Sequence, residues 1–251
     1  MHNITRIIRN YTVSTFPKFI VPTVNYAAHI LAAVEREASH TANKVAIIDG
    51  STGATTTYGD YAYRVGAASR GFRSAGVTRG SVVALHLTNS PEFMVAFTAL
   101  AALGATITTS NPQYTPQELA YQLKDSGATF VLTIPLLKPI VAAAMAAVSG
   151  LSPHAMLVLG EPSASFLSVD VSMSSGAKRA LPEIVTVDAR KQLLALPYSS
   201  GTTGLPKGVA LSHANLTSNI EQSAGANGDS SSGLGLLRSD VMVGVLPLYH
   251  I

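Results

Sequence analysis

The stretch with the clearest chemical capacity runs Tyr198-Ser199-Ser200-Gly201-Thr202-Thr203-Gly204-Leu205-Pro206-Lys207-Gly208-Val209. Five consecutive small residues, 199–203, offer hydroxyls and uncrowded backbone N–H groups. Gly201 and Gly204 let the backbone come close to a ligand. Lys207 adds a compact positive charge with three donors. Such a set of groups can wrap a polyphosphate. Ser/Thr/Gly clusters are also the ordinary composition of surface loops, and on composition alone both readings stand. The G-x-x-x-x-G-K-[ST] fingerprint fails, because Pro206 precedes Lys207 and Gly208 follows it. The dinucleotide fingerprint fails too, since residues 233–238 (Gly-Leu-Gly-Leu-Leu-Arg) lack the third glycine. There is no G-x-S-x-G and no H-E-x-x-H. The seven histidines are scattered, with none spaced as a metal pair.

The elements that must carry this stretch alternate between strand and helix patterns. Strands are predicted at 45–48, 55–58, 81–87, 105–109, 129–133, 155–159, 183–187, 194–198 and near 241–246. A helix from Asp60 puts Val65, Ala68, Phe72 and Ala75 on one face, and Gly76 ends it. Ser90-Pro91-Glu92 reads as N-cap, N1 proline and first-turn acid of a helix reaching about Leu103. Thr115-Pro116-Gln117-Glu118 is a capping box that opens a helix ending near Gly127. A further helix is expected over 136–148, weakened by Pro139. Residues 160–180 form a Ser/Gly-rich loop. Strands separated by helices of 10–15 residues imply an α/β fold with a mostly parallel sheet flanked by helices. In such sheets ligands bind beyond the carboxyl ends of the strands. That makes the segment after Tyr198 the place for a site.

Composition narrows the function classes. The chain has 251 residues, of which 47% are apolar. Only 12% are charged, against roughly 25% in an average soluble domain. A net charge of +3 with no Lys/Arg run speaks against nucleic acid as a partner. With no cysteine, disulfide scaffolds, thiol nucleophiles and cysteine zinc sites are excluded. The longest apolar run, 94–107, is too short to span a bilayer and reads as a buried helix followed by a strand. The first 34 residues carry Arg6, Arg9 and Lys18 and no acid before Glu35. This slightly resembles a transit peptide; the simpler reading is a basic arm over residues 1–15. The three N-x-[ST] sequons are read as chance matches. The cytoplasm is the default compartment, with peroxisome and mitochondrion as alternatives.

The run 198–216, YSSGTTGLPKGVALSHANL, resembles the phosphate loop of the adenylate-forming superfamily. That superfamily includes acyl- and aryl-CoA ligases, luciferases and the adenylation domains of peptide synthetases. Residues 246–251, LPLYHI, resemble its next motif, whose histidine borders the acyl-substrate pocket. Asn89-Ser90-Pro91-Glu92-Phe93 and residues 104–112 are similar to 4-coumarate–CoA ligases and their relatives. The resemblance runs from about Phe16 to Ile251, a partial adenylation domain lacking its second half and its C-terminal domain.

The resemblance implies two half-reactions with ATP, Mg2+ and CoA as co-substrates. A carboxylic acid first becomes acyl-AMP, and CoA then displaces AMP. It places Ser199, Ser200, Gly201, Thr202, Thr203, Gly204 and Lys207 on the ATP phosphates, and His250 at the acyl pocket. Taken alone, His250 would read as a core histidine at a strand end. Tyr249 is expected to pack, and His213 to cap a helix or face solvent. The family's adenine motif, ribose aspartate and adenylation lysine have no counterpart in these residues, so no catalytic residue is assigned. The chain alone is therefore expected not to complete acyl-CoA synthesis, and the edge near 241–246 to be left unpaired. Two other readings stand beside the ligase: a non-catalytic fragment that binds a nucleotide or partner, and an unrelated phosphate-binding α/β domain.

Overall fold

The computed structural model describes residues 22–41, 43–167, 180–199, 205–228 and 239–250. The arm 1–15 and much of the 160–180 loop lie outside them. The elements in order are α1 (Tyr26–His40), β1 (Val45–Ile48), β2 (Thr55–Thr57), α2 (Tyr58–Ser74), β3 (Val82–His86), α3 (Pro91–Ala102) and β4 (Thr106–Thr109). They continue with α4 (Pro116–Ser126), β5 (Phe130–Thr133), α5 (Lys138–Ala146), β6 (Met156–Val158), β7 (Leu193–Ala195), β8 (Tyr198–Ser199), β9 (Lys207–Gly208), β10 (Leu211–Ser212) and α6 (His213–Gly228).

One six-stranded sheet, ordered β10-β7-β4-β3-β5-β6, forms the centre. Its strands are parallel except β10, which runs antiparallel at the edge beside β7. Alternation along the strands feeds two cores. Val83, Leu85 and Leu132 point to α1, α2 and α3, where Leu31, Val65, Phe72 and Leu100 pack. Ala84 and Val131 point the other way, to Leu119 and Leu123 of α4 and Val141 and Ala144 of α5. Helices on both faces give the three-layer α/β architecture expected. α3 is buried almost all round, with ten of its twelve residues inside, so it runs as an apolar stretch rather than a stripe.

Local signals explain the ends of these elements. The Ser90 hydroxyl accepts from the Phe93 N–H, and Pro91 occupies N1. Thr115 and Glu118 complete the capping box of α4, and Gly127 takes the left-handed conformation that ends it, at φ 67°. Asn25 caps α1 by accepting from the Ala27 N–H. Its Nδ2 also donates to the Ala101 carbonyl at 2.9 Å and to Val185 O at 3.1 Å.

Several expectations are corrected. Helix α2 starts at Tyr58, because the Thr57 hydroxyl already caps it through the Asp60 N–H. Pro139 does not weaken α5; it lies in the first turn, where no N–H bond is lost. Residues 183–187 are no strand. The Val185 N–H donates to Ala102 O at the end of α3, and Val185 O accepts from Asn25, so a helix end and a side chain take the place of a neighbouring strand. The 194–198 strand splits at Pro197 into β7, which pairs with β4, and β8, which pairs with β9. No strand forms at 241–246; these residues are exposed, and the Asn89 side chain holds the backbone at Leu246 and Leu248.

A close approach at Gly66 yields a prediction. A Cβ there would lie 2.3 Å from the Ala180 carbonyl oxygen. Gly66→Ala gains up to about 1 kcal/mol of helix propensity. Moving the 180–183 backbone off α2 costs about 1–3 kcal/mol, the usual range for overpacking. A net fall in Tm is expected in thermal unfolding; a rise would show that the 180–183 segment yields freely.

Candidate functional site

The site is built from three pieces beyond the carboxyl ends of β3, β4 and β7. The first is the β8–β9 hairpin, where Tyr198 pairs with Gly208 and Ser199 with Lys207. The Val209 N–H extends the ladder to Pro197 O at 2.8 Å. This register sets Lys207 directly across from Ser199. The chain between them holds Ser200, Gly201, Thr202, Thr203 and Gly204, which lie outside the described residues. Ser199 and Lys207 are both exposed.

The second piece is α4, which grips the hairpin on both sides. Tyr121 Oη donates to the Pro206 carbonyl at 3.1 Å. Tyr198 Oη donates to Asp125 Oδ2 at 2.5 Å. Burial, the Asp125 hydrogen bond and the Asp125 charge together push the Tyr198 pKa far up, so the phenol keeps its proton. Its ring lies against Gly208, where an added Cβ would meet ring carbons at 3.3 Å. One residue along, Gln122 faces inward and donates to Thr108 Oγ1 at 2.7 Å and Thr109 O at 3.0 Å. α4 is thereby tied to β4 and to the hairpin at once.

The third piece is the segment 246–250. Asn89, just after β3, donates to Leu246 O at 2.9 Å and accepts from the Leu248 N–H at 2.7 Å. Thr109, the last residue of β4, donates to Tyr249 O at 2.7 Å. His250 is exposed, and its ring stacks on that of Tyr249 with centroids 6.2 Å apart. The structure therefore brings Ser199, Lys207 and His250 to the same edge of the sheet. The sequence reading missed Tyr121, Asp125, Gln122 and Thr109. The i, i+4 spacing of Tyr121 and Asp125 marks a shared helix face, yet nothing local names its partner.

His213 corrects an expectation. It is fully buried rather than solvent-facing, and Ser212 does the capping through Asn215. Its Nδ1 accepts from the Tyr26 N–H at 3.1 Å, joining the start of α6 to the start of α1. Burial lowers its pKa to about 4. His86, at the end of β3, is also fully buried, shares a 2.8 Å hydrogen bond with Ser110, and is lowered to about 4 by burial. Both folded-state values lie below the ordinary value of 6.5. Their contribution is therefore fully present above pH 6.5 and is lost as pH falls towards 4. At about 1.4 kcal/mol per pKa unit, a shift from 6.5 to about 4 corresponds to at most about 3.5 kcal/mol each. The urea midpoint is expected to fall between pH 6.5 and 4. His213→Asn, which keeps an acceptor without a titrating ring, should flatten that fall; equal slopes in both proteins would count against it.

A groove of about 630 Å³ opens at the opposite, amino-terminal edge of the sheet, lined by Leu123, Lys124, Thr129, Val148 and His154 among others. Its lining includes none of the candidate site residues Ser199, Lys207 and His250. Among the described residues no group of three His, Asp or Glu side chains could hold a metal ion. No described helix is long and apolar enough to cross a membrane.

Comparison with known proteins places this arrangement. The model of the AMP-binding enzyme family matches residues 34–251. The chain is 43% identical over 212 residues to 4-coumarate–CoA ligase 5 of Oryza sativa subsp. japonica, covering 83% of this chain and 36% of that protein. It is 36% identical over 214 residues to 4-coumarate–CoA ligase CCL1 of Humulus lupulus, again covering 36% of that protein. Among solved structures, a long-chain-fatty-acid-CoA ligase from Archaeoglobus fulgidus matches with TM-score 0.76 and 27% identity, over 96% of this chain and 46% of that one. A red-emitting luciferase from Phrixothrix hirtus shares the fold, with TM-score 0.72 and 20% identity over 90% of this chain and 53% of that one. The chain thus spans about a third of the length of these curated relatives.

Proposed function

Because the chain belongs to the AMP-binding enzyme family, we propose that it is the nucleotide-binding part of an ATP-dependent carboxylic acid–CoA ligase. The observation that carries the reading is the β8–β9 register. It sets Lys207 opposite Ser199 at the carboxyl edge of a parallel sheet, with five Ser, Gly and Thr residues spaced between the strands. The proposed role of residues 199–204 and Lys207 is to hold the ATP phosphates and the departing pyrophosphate. Backbone N–H groups, hydroxyls and one ammonium neutralise charge that builds on the phosphates as the acid attacks. The proposed role of His250 is to border the acid. Magnesium enters this proposal as part of the MgATP substrate. The proposed domain covers residues 16–251, after an arm of 1–15, and the proposed compartment is the cytoplasm, which imaging of a tagged protein checks.

The identity of the curated relatives favours a hydroxycinnamate-like acid, and the archaeal structure keeps fatty acids in the panel. The test is acid-dependent exchange of pyrophosphate into ATP across hydroxycinnamates, benzoates and medium- and long-chain fatty acids. MgATP binding by the 251-residue chain is titrated alongside. Saturable MgATP binding supports the assignment of the loop. No binding at millimolar MgATP overturns it, and exchange confined to fatty acids overturns the preference for aryl acids.

A further inference from the structure

We propose that the Tyr121–Asp125 face of α4 is a clamp that positions the β8–β9 hairpin for nucleotide binding. Asp125 acts through the Tyr198 hydroxyl and Tyr121 through the Pro206 carbonyl. The inference rests on the nucleotide reading above and adds positioning residues to it.

Among the described residues, each strand of the hairpin has two residues. A two-stranded ribbon of that length is marginal in water without outside support. The support comes from one helix face. Tyr121 and Asp125 stand one turn apart on α4 and hold the ribbon on both sides, at Pro206 just before β9 and at Tyr198 of β8. The 2.5 Å bond from the phenol to a carboxylate is in the short, charge-assisted range. The Tyr198 ring is meanwhile packed against Gly208 on the other strand. A shift of Tyr198 therefore moves both strands, and with them the Ser199–Lys207 pair.

The helix is itself a rigid platform. Its start is closed by the Thr115–Glu118 box, its buried face packs through Leu119 and Leu123, and Gln122 ties it to β4. Tyr121, Gln122 and Asp125 thus transmit the position of the central sheet to the ribbon. Neither Tyr121 nor Asp125 is assigned a contact with the nucleotide; both act through Tyr198 and Pro206.

The test uses the 251-residue chain with Tyr198→Phe, Asp125→Ala, Asp125→Asn and the Tyr198→Phe/Asp125→Ala double variant. Hydrogen exchange of the Val209 amide and the β8–β9 amides is read together with MgATP affinity and Tm. Loss of a hydrogen bond to a charged acceptor predicts about 10-fold or greater faster hairpin exchange and about 5- to 20-fold weaker MgATP binding for each single variant. Exchange of α4 and β4 amides should stay unchanged. The double variant should be no worse than either single one, because both remove the same bond. Asp125→Asn retains an acceptor and should recover to within about 3-fold. Unchanged hairpin exchange and affinity in Asp125→Ala and Tyr198→Phe, while Lys207→Ala loses nucleotide, overturns the clamp and leaves the nucleotide reading standing. If the unaltered chain binds no MgATP, the nucleotide reading fails by itself, and hairpin exchange still decides the clamp.

Discussion

Lys207→Ala is expected to weaken MgATP binding by about one to two orders of magnitude, because a hydrogen bond to a charged group contributes about 1.5–3 kcal/mol and 1.4 kcal/mol is tenfold. The folded protein should hardly notice. Lys207 is exposed, and its backbone carries the pairing with Ser199, so truncating the side chain leaves that pairing in place. Exposed substitutions away from special features change stability by within about 0.5 kcal/mol. Affinity and Tm should therefore separate. Lys207→Arg keeps the charge but replaces a compact ammonium with a planar fork, and partial recovery is expected. Isothermal titration with MgATP, with thermal unfolding alongside, checks both halves. Unaltered affinity in Lys207→Ala would favour the reading in which the loop is coincidental.

The largest stability effect of a single substitution is expected at Asn25. Its Oδ1 caps α1, and its Nδ2 satisfies two carbonyls from separate parts of the chain, Ala101 and Val185. The side chain is buried. Asn25→Ala removes an N-cap at about 1 kcal/mol and two further hydrogen bonds at about 0.5–1.5 kcal/mol each, leaving the Ala101 carbonyl with the Gly104 N–H alone. A total of about 2–4 kcal/mol lowers Tm by roughly 4–16 °C at this chain length. Asn25→Asp separates the two roles. It retains the cap and adds a charge suited to a helix N-terminus, but it turns a second oxygen towards two carbonyl oxygens. At pH 7 it should be at least as destabilising as alanine, with part of the loss regained when the carboxyl protonates. Chemical denaturation at pH 7 and pH 4 measures this; an aspartate variant as stable as the parent would mean that only the cap matters.

Much of the frame could be read from local patterns, for physical reasons that are themselves local. The Ser90 cap, the Thr115–Glu118 box and the Gly127 stop depend on residues three or four apart, and each formed as expected. The strand–helix alternation is a periodicity, and periodicity decides which face of each element is apolar; the α/β sheet followed from it. The misread strands share one cause. Residues 183–187 have strand-like composition, yet α3 and Asn25 take their hydrogen bonds. The 241–246 run is equally strand-like, and side chains of Asn89 and Thr109 hold only its last carbonyl, at Leu246, and the backbone after it. A strand is defined by its partner, and the partner is not in the segment.

The same division runs through the candidate site. The order of Ser, Gly, Thr and Lys in residues 199–207 marks a candidate phosphate loop from the sequence alone, because small residues and one ammonium can wrap a polyphosphate. The sequence alone therefore determined the α/β class, the family resemblance and the residues to suspect. Only the tertiary structure set Lys207 across from Ser199, placed the 246–250 segment over β3 and β4, and buried His213 against the start of α1. It alone joined Tyr198 to Asp125, residues 73 positions apart. Hydrogen bonds and burial between distant segments depend on how the layers pack, and no local pattern records that.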